Sequence, residues 1–166
     1  MVQANIKYTI MFYIQQQQRV AKRQLNLNVF ANCPNITEII IEDGNEFFFE
    51  IDHLIYRKAS ATSTYYTLVV ANRNFNGVAT ILKDTTGTLS SIDASAFIDT
   101  TLSGIRFTTS AHITYVSDTL FDKVPEGFKV YIPNGQTNYF VGMYNTKWSA
   151  AFKALVSTMI VEDEAQ

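Results

Sequence analysis

The chain has 166 residues, 47% apolar and 17% charged, with a formal net charge of -2. That length suits one domain with its own core and is short for two. The charge balance has no field to gather a polyanion, which excludes nucleic acid as an expected partner. No apolar run approaches the roughly 18 residues a membrane span needs, so no membrane insertion is expected. Cys33 stands alone, which rules out an intrachain disulfide or a cysteine-built metal cluster.

Solubility must come from Thr, Ser and Asn more than from ions. Such a surface can be covered by a protein partner without stripping water from charges. Twelve Phe, nine Tyr and one Trp supply unusually many aromatic rings for core and contact.

The first predicted element is a strand at 6–14, with Tyr8, Ile10, Phe12 and Ile14 on one face at period two. A short helical stretch follows at 15–22. Arg19, Lys22 and Arg23 form a small basic cluster that reads as a solvated face. No small-residue cleavage signature follows the apolar stretch, so no secretory signal is expected. Residues 1–24 form a unit that caps the fold or pairs with a partner.

ITEIII at 36–41 reads as a strand rich in β-branched residues, stopped by the turn signal Glu42-Asp43-Gly44-Asn45. Strands follow at 47–52, 53–57, 64–71 and 78–82, with a turn over 72–77. Residues 46–71 are expected as a hairpin excursion away from the core. Its Phe47, Phe48, Phe49, Tyr65 and Tyr66 are the candidate interaction surface, for a protein partner or for carbohydrate, since aromatic faces also stack on sugar rings.

From residue 89 onward a repeat emerges. In LSSIDASAF and ITYVSDTLF, Leu89, Ile92, Ala96 and Phe97 recur as Ile113, Val116, Leu120 and Phe121, each 24 residues on. A second apolar strand follows each, LSGIRF at 102–107 and FKVYI at 128–132. Upstream, Leu25 and Phe30 keep the five-residue spacing of Ile92 and Phe97. One unit of this size cannot bury its own apolar face, so units must stack and share a core. The expected fold is α/β and strand-rich: a leucine-rich-repeat-like right-handed solenoid over 25–144, with a hairpin insertion and a C-terminal capping helix. Phe30, Ile39, Leu89, Ile92, Phe97, Ile105, Val116, Phe121 and Trp148 are its expected core.

Pro133 cannot donate to a sheet ladder and marks a strand end or edge, and Asn134-Gly135 is a turn signal. Over 145–158, Trp148, Ala151, Phe152 and Leu155 make an amphipathic stripe, with Asn145 as a possible N-cap. This terminal unit, 145–166, should close the last core layer and end in a loose acidic tail from Glu162.

Chemistry has few footholds. His53 and His112 are the only histidines, and a small hydrolase would need one of them beside a carboxylate or hydroxyl. Acid pairs between Glu42 and Asp52, or Asp93 with Asp99, would need a cleft to cleave glycosides. EDGNE at 42–46 gathers oxygen ligands but lacks the helix–loop–helix calcium pattern. Asn35 formally opens a glycan acceptor triplet. The expectation is a non-enzymatic module with no cofactor and no metal.

The chain resembles the BspA-like leucine-rich repeats. The match runs through Phe30, Cys33, Pro34, Ile36 and Ile39, then Leu89, Ile92, Ala96, Phe97, Leu102, Ile105 and Phe107, then Ile113, Val116, Phe121, Val130 and Ile132. Ile51, Asp52, Leu54 and Tyr56 are similar to that family's hairpin insertion, with His53 where glycine is usual. YIPNG at 131–135 is similar to its terminal unit. The resemblance spans about residues 25–158. It implies a non-enzymatic adhesion-type or structural protein that presents a rigid surface within an assembly of copies or other proteins, such as a virion or cell-surface structure.

Overall fold

The computed structural model describes residue 36 and residues 38–41, 43–109, 116–144 and 147–163. Leu25, Phe30, Cys33, His112, Ile113 and Asn145, and the expected elements at 6–14 and 15–22, lie outside the described residues. The fold is mixed α/β and strand-rich, built on two small sheets.

The first sheet begins with a hairpin. β1 (Phe48–Ile51) runs antiparallel to β2 (Leu54–Lys58), with Ile51 opposite Leu54. Only Asp52 and His53 lie between them, both left-handed (φ 49° and 65°), the geometry that a two-residue hairpin turn needs to match strand twist. β2 pairs antiparallel with β3 (Tyr65–Ala71), and β3 pairs parallel with β5 (Thr88–Ile92). Leu54, Ile55 and Tyr56 are buried. The hairpin is therefore a wall of the core, not an excursion from it. β2 is apolar on both faces, so each of its faces must be covered.

The second sheet is wholly parallel: β4 (Val78–Ile81), β6 (Gly104–Phe107), β7 (Lys129–Pro133) and β8 (Ile160–Asp163). Ala79, Ile105, Val130 and Ile160 share one row. Period-two alternation sends Ala79, Ile81, Ile105, Phe107, Val130 and Ile132 into the core. The ladder continues below the strands, where Ser103 N–H donates to the Gly77 carbonyl (3.0 Å) and Lys129 N–H to Ser103 (3.0 Å).

The 24-residue repeat is visible as structure. Ala96 N–H donates to Asp93 O and Ile98 N–H to Ser95 O; at equivalent positions Leu120 N–H donates to Ser117 O and Asp122 N–H to Thr119 O. These tight turns deliver Phe97 and Phe121 to one stack. Their rings lie 6.2 Å apart at 9°, and Phe152 continues the stack at 6.2 Å and 11° from Phe121. Phe128 tilts against both Phe97 and Phe121. Leu89, Ile92, Phe97, Ile105, Val116, Phe121 and Trp148 all lie in the main buried cluster, while Ile39 belongs to a second, smaller one.

A uniform curved arc is not what the described residues form. Tyr66 meets Leu89 and Ala79 meets Ile105, but Ile105 meets Val130 and Val130 meets Ile160, spacings that differ along the chain. Between Phe121 and Val130 one extra residue is absorbed where Gly127 turns left-handed (φ 80°). Bulges at Ile55/Tyr56 and Tyr66/Thr67 bend the first sheet as well. Unequal steps and an antiparallel hairpin prevent a constant rotation per unit.

Three local expectations are corrected. Among the described residues of 36–41, Ile36 makes a bridge and 38–41 join no ladder, and the Asn72 side chain takes both backbone groups of Ile39. The terminal helix, α1 (Ala150–Met159), is capped by Ser149, whose hydroxyl accepts the Phe152 N–H at 3.1 Å. It buries Phe152 and Val156 and leaves Leu155 exposed, since the sheet meets positions four apart. Finally, Glu162 is no loose end: β8 is the fourth strand of the second sheet, entered directly from α1 at an extended Ile160.

Trp148 packs edge-on to Phe140 and Phe152, and its indole N–H donates to the Val116 carbonyl at 2.8 Å. Phe140 sits in a short π-helical segment, Tyr139–Tyr144, and also meets Phe107. Trp148 is thus the anchor between the repeat body and α1.

Candidate interaction surface

The aromatic run does not make one patch. Alternation along β1 divides it. Phe49 turns to the core side, stacked on Tyr56 (5.3 Å) and edge-on to Tyr66 (4.8 Å), with the Lys58 ammonium over its ring at 5.5 Å. Phe48 turns to the opposite face, against the second cluster of Ile36, Ile39, Ile55, Val69 and Val70. Phe47 is half-buried and its carbonyl takes the Lys58 N–H. Tyr65, 59% exposed, is the one ring of the five open to a partner. Beside it the face turns hydroxylic, with Thr67 and Ser91 hydroxyls 3.1 Å apart.

The outer face of β2 and β3 is covered by residues 36 and 38–41, a strap held by three consecutive residues that follow β3. Asn72, 2% exposed, accepts the Ile39 N–H at 2.8 Å and donates to the Ile39 carbonyl at 3.2 Å. Its amide also donates to Glu50 at 2.7 Å. Arg73 donates to the Ile36 and Ile98 carbonyls and lies 3.8 Å from the Asp99 carboxylate. Asn74 donates to Glu38 at 2.9 Å. Only a shallow crevice of about 10 Å³ remains between strap and sheet, lined by Ile36, Ile39, Val70 and Asn72 among others.

The outward face of the second sheet carries a crossed row. Arg106 lies over the Tyr131 ring at 5.0 Å and reaches Asp163 at 2.7 Å. The Nε–H is not aimed along that line, so the contact is an ion pair and not a directed hydrogen bond. One side chain thus ties β6, β7 and β8 together. At the sheet's other edge, β4 is capped by side chains. Asp52 accepts the Thr80 N–H at 2.6 Å and Tyr56 accepts the Leu82 N–H at 3.0 Å. An edge closed this way offers no ladder to a stray strand.

Asp52 is therefore a backbone cap, joined by Lys83 at 3.7 Å. His53 stacks on Phe75 at 4.1 Å. Burial holds Asp93 above the usual carboxylate range, against the pull of Arg57. Burial likewise raises Tyr56, against its bond to Leu82. The Thr137 hydroxyl, with the backbone of Gly135 and Thr137, holds Glu162 below the usual range. Among the described residues, no three of His, Cys, Asp and Glu come together as a metal site, and no helix is long and apolar enough to cross a membrane.

Sequence reasoning passed over Asn72, Arg73, Arg106 and Tyr131. Asn72 and Arg73 looked like turn residues, and only their distant partners reveal their work. Arg106 and Tyr131 carried a usable signal, each being the polar position between two apolar ones in paired strands. Comparison with protein-family models, with curated proteins and with solved structures finds no match for this chain.

Proposed function

We propose that this chain is a short non-enzymatic repeat scaffold of the leucine-rich-repeat kind, presenting a rigid surface in an assembly of its own copies. The observation that supports this reading is the stack of Phe97, Phe121 and Phe152, in which the equivalent rings of two repeats lie on one another and the terminal helix adds a third. A structure that adds one parallel strand per winding is a stiff platform. The surface it offers is the outward face of β6, β7 and β8, where Arg106 and Tyr131 are held by each other and by Asp163. Arg and Tyr are the residue types that most often dominate binding energy, and side chains already ordered lose little entropy on contact.

Sedimentation velocity over a concentration series tests this. The expected result is a rise in mass with concentration that Arg106→Ala and Tyr131→Ala abolish while the melting midpoint moves by only a few degrees. A chain that stays monomeric throughout overturns the reading. Binding on a glycan array that requires Tyr65 would instead identify a carbohydrate-binding module.

A further inference from the structure

We propose that Asn134 is a site of spontaneous deamidation, and that the Glu162 carboxylate governs its rate. Asparagine followed by glycine is the pairing most open to this reaction, because glycine has no side chain to hinder approach to its nitrogen. The chain has two such pairs, Asn76-Gly77 and Asn134-Gly135. The structure separates them. The Phe75 ring packs on Gly77 so closely that a Cβ there would collide with it. Gly135 instead sits at the tip of the turn between β7 and the π-helical segment. It is left-handed (φ 75°), with open space where its Cβ would stand, and both Asn134 and Gly135 are exposed. In the reaction the Gly135 nitrogen attacks the Asn134 side-chain carbonyl carbon. A nitrogen–Cγ bond forms, the Cγ–Nδ2 bond breaks, and the Gly135 proton leaves with the amide as ammonia. Water then opens the cyclic imide at either carbonyl, giving aspartate or isoaspartate.

Glu162 stands against this turn. Its carboxylate accepts the Thr137 hydroxyl at 2.6 Å and the Thr137 N–H at 3.3 Å, and the Gly135 N–H faces it as well. A fixed negative charge beside the attacking nitrogen opposes the loss of its proton. Together with the Gln136 N–H, which donates to the Pro133 carbonyl at 3.1 Å, these bonds hold the turn in one shape and resist the rotation that ring closure requires. The same corner secures the last strand. The Asn134 N–H donates to the Asp163 carbonyl at 3.0 Å, and the Asp163 carboxylate holds Arg106 at 2.7 Å. Isoaspartate adds a carbon to the main chain at that joint, and either product adds a carboxylate near Glu162, where like charges repel. Deamidation therefore loosens the end of β8. This holds whether or not the Arg106 face binds another copy.

Ageing the full chain at neutral pH tests it. Peptide mass spectrometry reads the conversion of amide to acid at Asn134 and Asn76 in the same digest. Glu162→Ala should convert Asn134 several-fold faster than the native chain does, while Asn76 keeps its pace. Glu162→Gln, which keeps an acceptor oxygen but no charge, should fall between them. The deamidated product, isolated by ion exchange, should melt below the fresh chain. Equal Asn134 rates in the native chain and in Glu162→Ala overturn the proposal. So does an Asn134 that stays an amide in both while the urea-unfolded chain converts. A product that melts with the fresh chain overturns the loosening of β8. If Glu162→Ala fails to fold by circular dichroism, Thr137→Val takes its place, since it removes the hydroxyl that positions the carboxylate. It should also speed conversion at Asn134, and an unchanged rate overturns the proposal.

Discussion

Phe121→Ala is the perturbation that bears most directly on how this fold holds together. Phe121 is 2% exposed and meets three rings: Phe97 at 6.2 Å, Phe152 at 6.2 Å and Phe128 at 5.9 Å. Truncating a buried phenylalanine costs about 3–5 kcal/mol from lost transfer energy and the cavity left behind. For a chain of this size each kcal/mol lowers the melting midpoint by roughly 2–4 °C. The loss is a large part of the roughly 5–15 kcal/mol that keeps a domain folded. Thermal and urea unfolding, followed by the fluorescence of the single tryptophan, would read it. The stack itself is tested by a double-mutant cycle with Phe97→Ala. Rings in contact should couple by about 0.5–1.5 kcal/mol. A total loss below about 1 kcal/mol, or strict additivity of the two substitutions, would refute the claim that the two tight-turn segments are joined through these rings.

The remaining expectations are local. Trp148→Phe keeps most of the ring volume but leaves the buried Val116 carbonyl without its indole donor, and should cost about 1–3 kcal/mol in urea unfolding. Gly104→Ala would bring a Cβ to 2.5 Å from the Lys129 carbonyl oxygen, on backbone that cannot swing aside. It should destabilise by about 1–3 kcal/mol, and an unchanged unfolding midpoint would show that β6 and β7 are less closely apposed. Asp93 has its folded pKa raised chiefly by desolvation, so its ionisation opposes folding. Its contribution is fully favourable below the ordinary aspartate value and is lost as pH rises through the folded value. Asp93→Asn should therefore raise the melting midpoint at neutral pH and lose that advantage in strong acid. An advantage independent of pH would point to another cause.

Much of the second half was legible in the residues. Leu89, Ile92, Ala96 and Phe97 recur as a spaced set, and both described turns solve the same local problem: turn tightly, then deliver an aromatic to the interior. The tight turns at Ala96 and Leu120 and the stacked rings beneath them follow from that spacing. The terminal helix was legible from its stripe, although not which residues of the stripe are covered. The hairpin was visible as two strands around Asp52-His53, but its place in the core was not, because β2 is apolar on both faces and periodicity alone cannot say what covers it. The aromatic patch read from adjacent Phe and Tyr residues dissolved for a plain reason: neighbours along a strand point to opposite faces.

By itself, then, the sequence determined the strand-rich class, the 24-residue spacing and the aromatic plugs, all set by contacts or periodicities within about one repeat length. Tertiary structure alone decided the division into two sheets, the burial of the hairpin, the recruitment of Ile160–Asp163 as a final strand and the seating of the strap by Asn72. The last two join distant residues, Val130 with Ile160 through backbone groups that every residue possesses and Ile39 with Asn72 through a single side-chain amide. No side-chain pattern along the chain encodes such a partnership until both segments are packed against the same core.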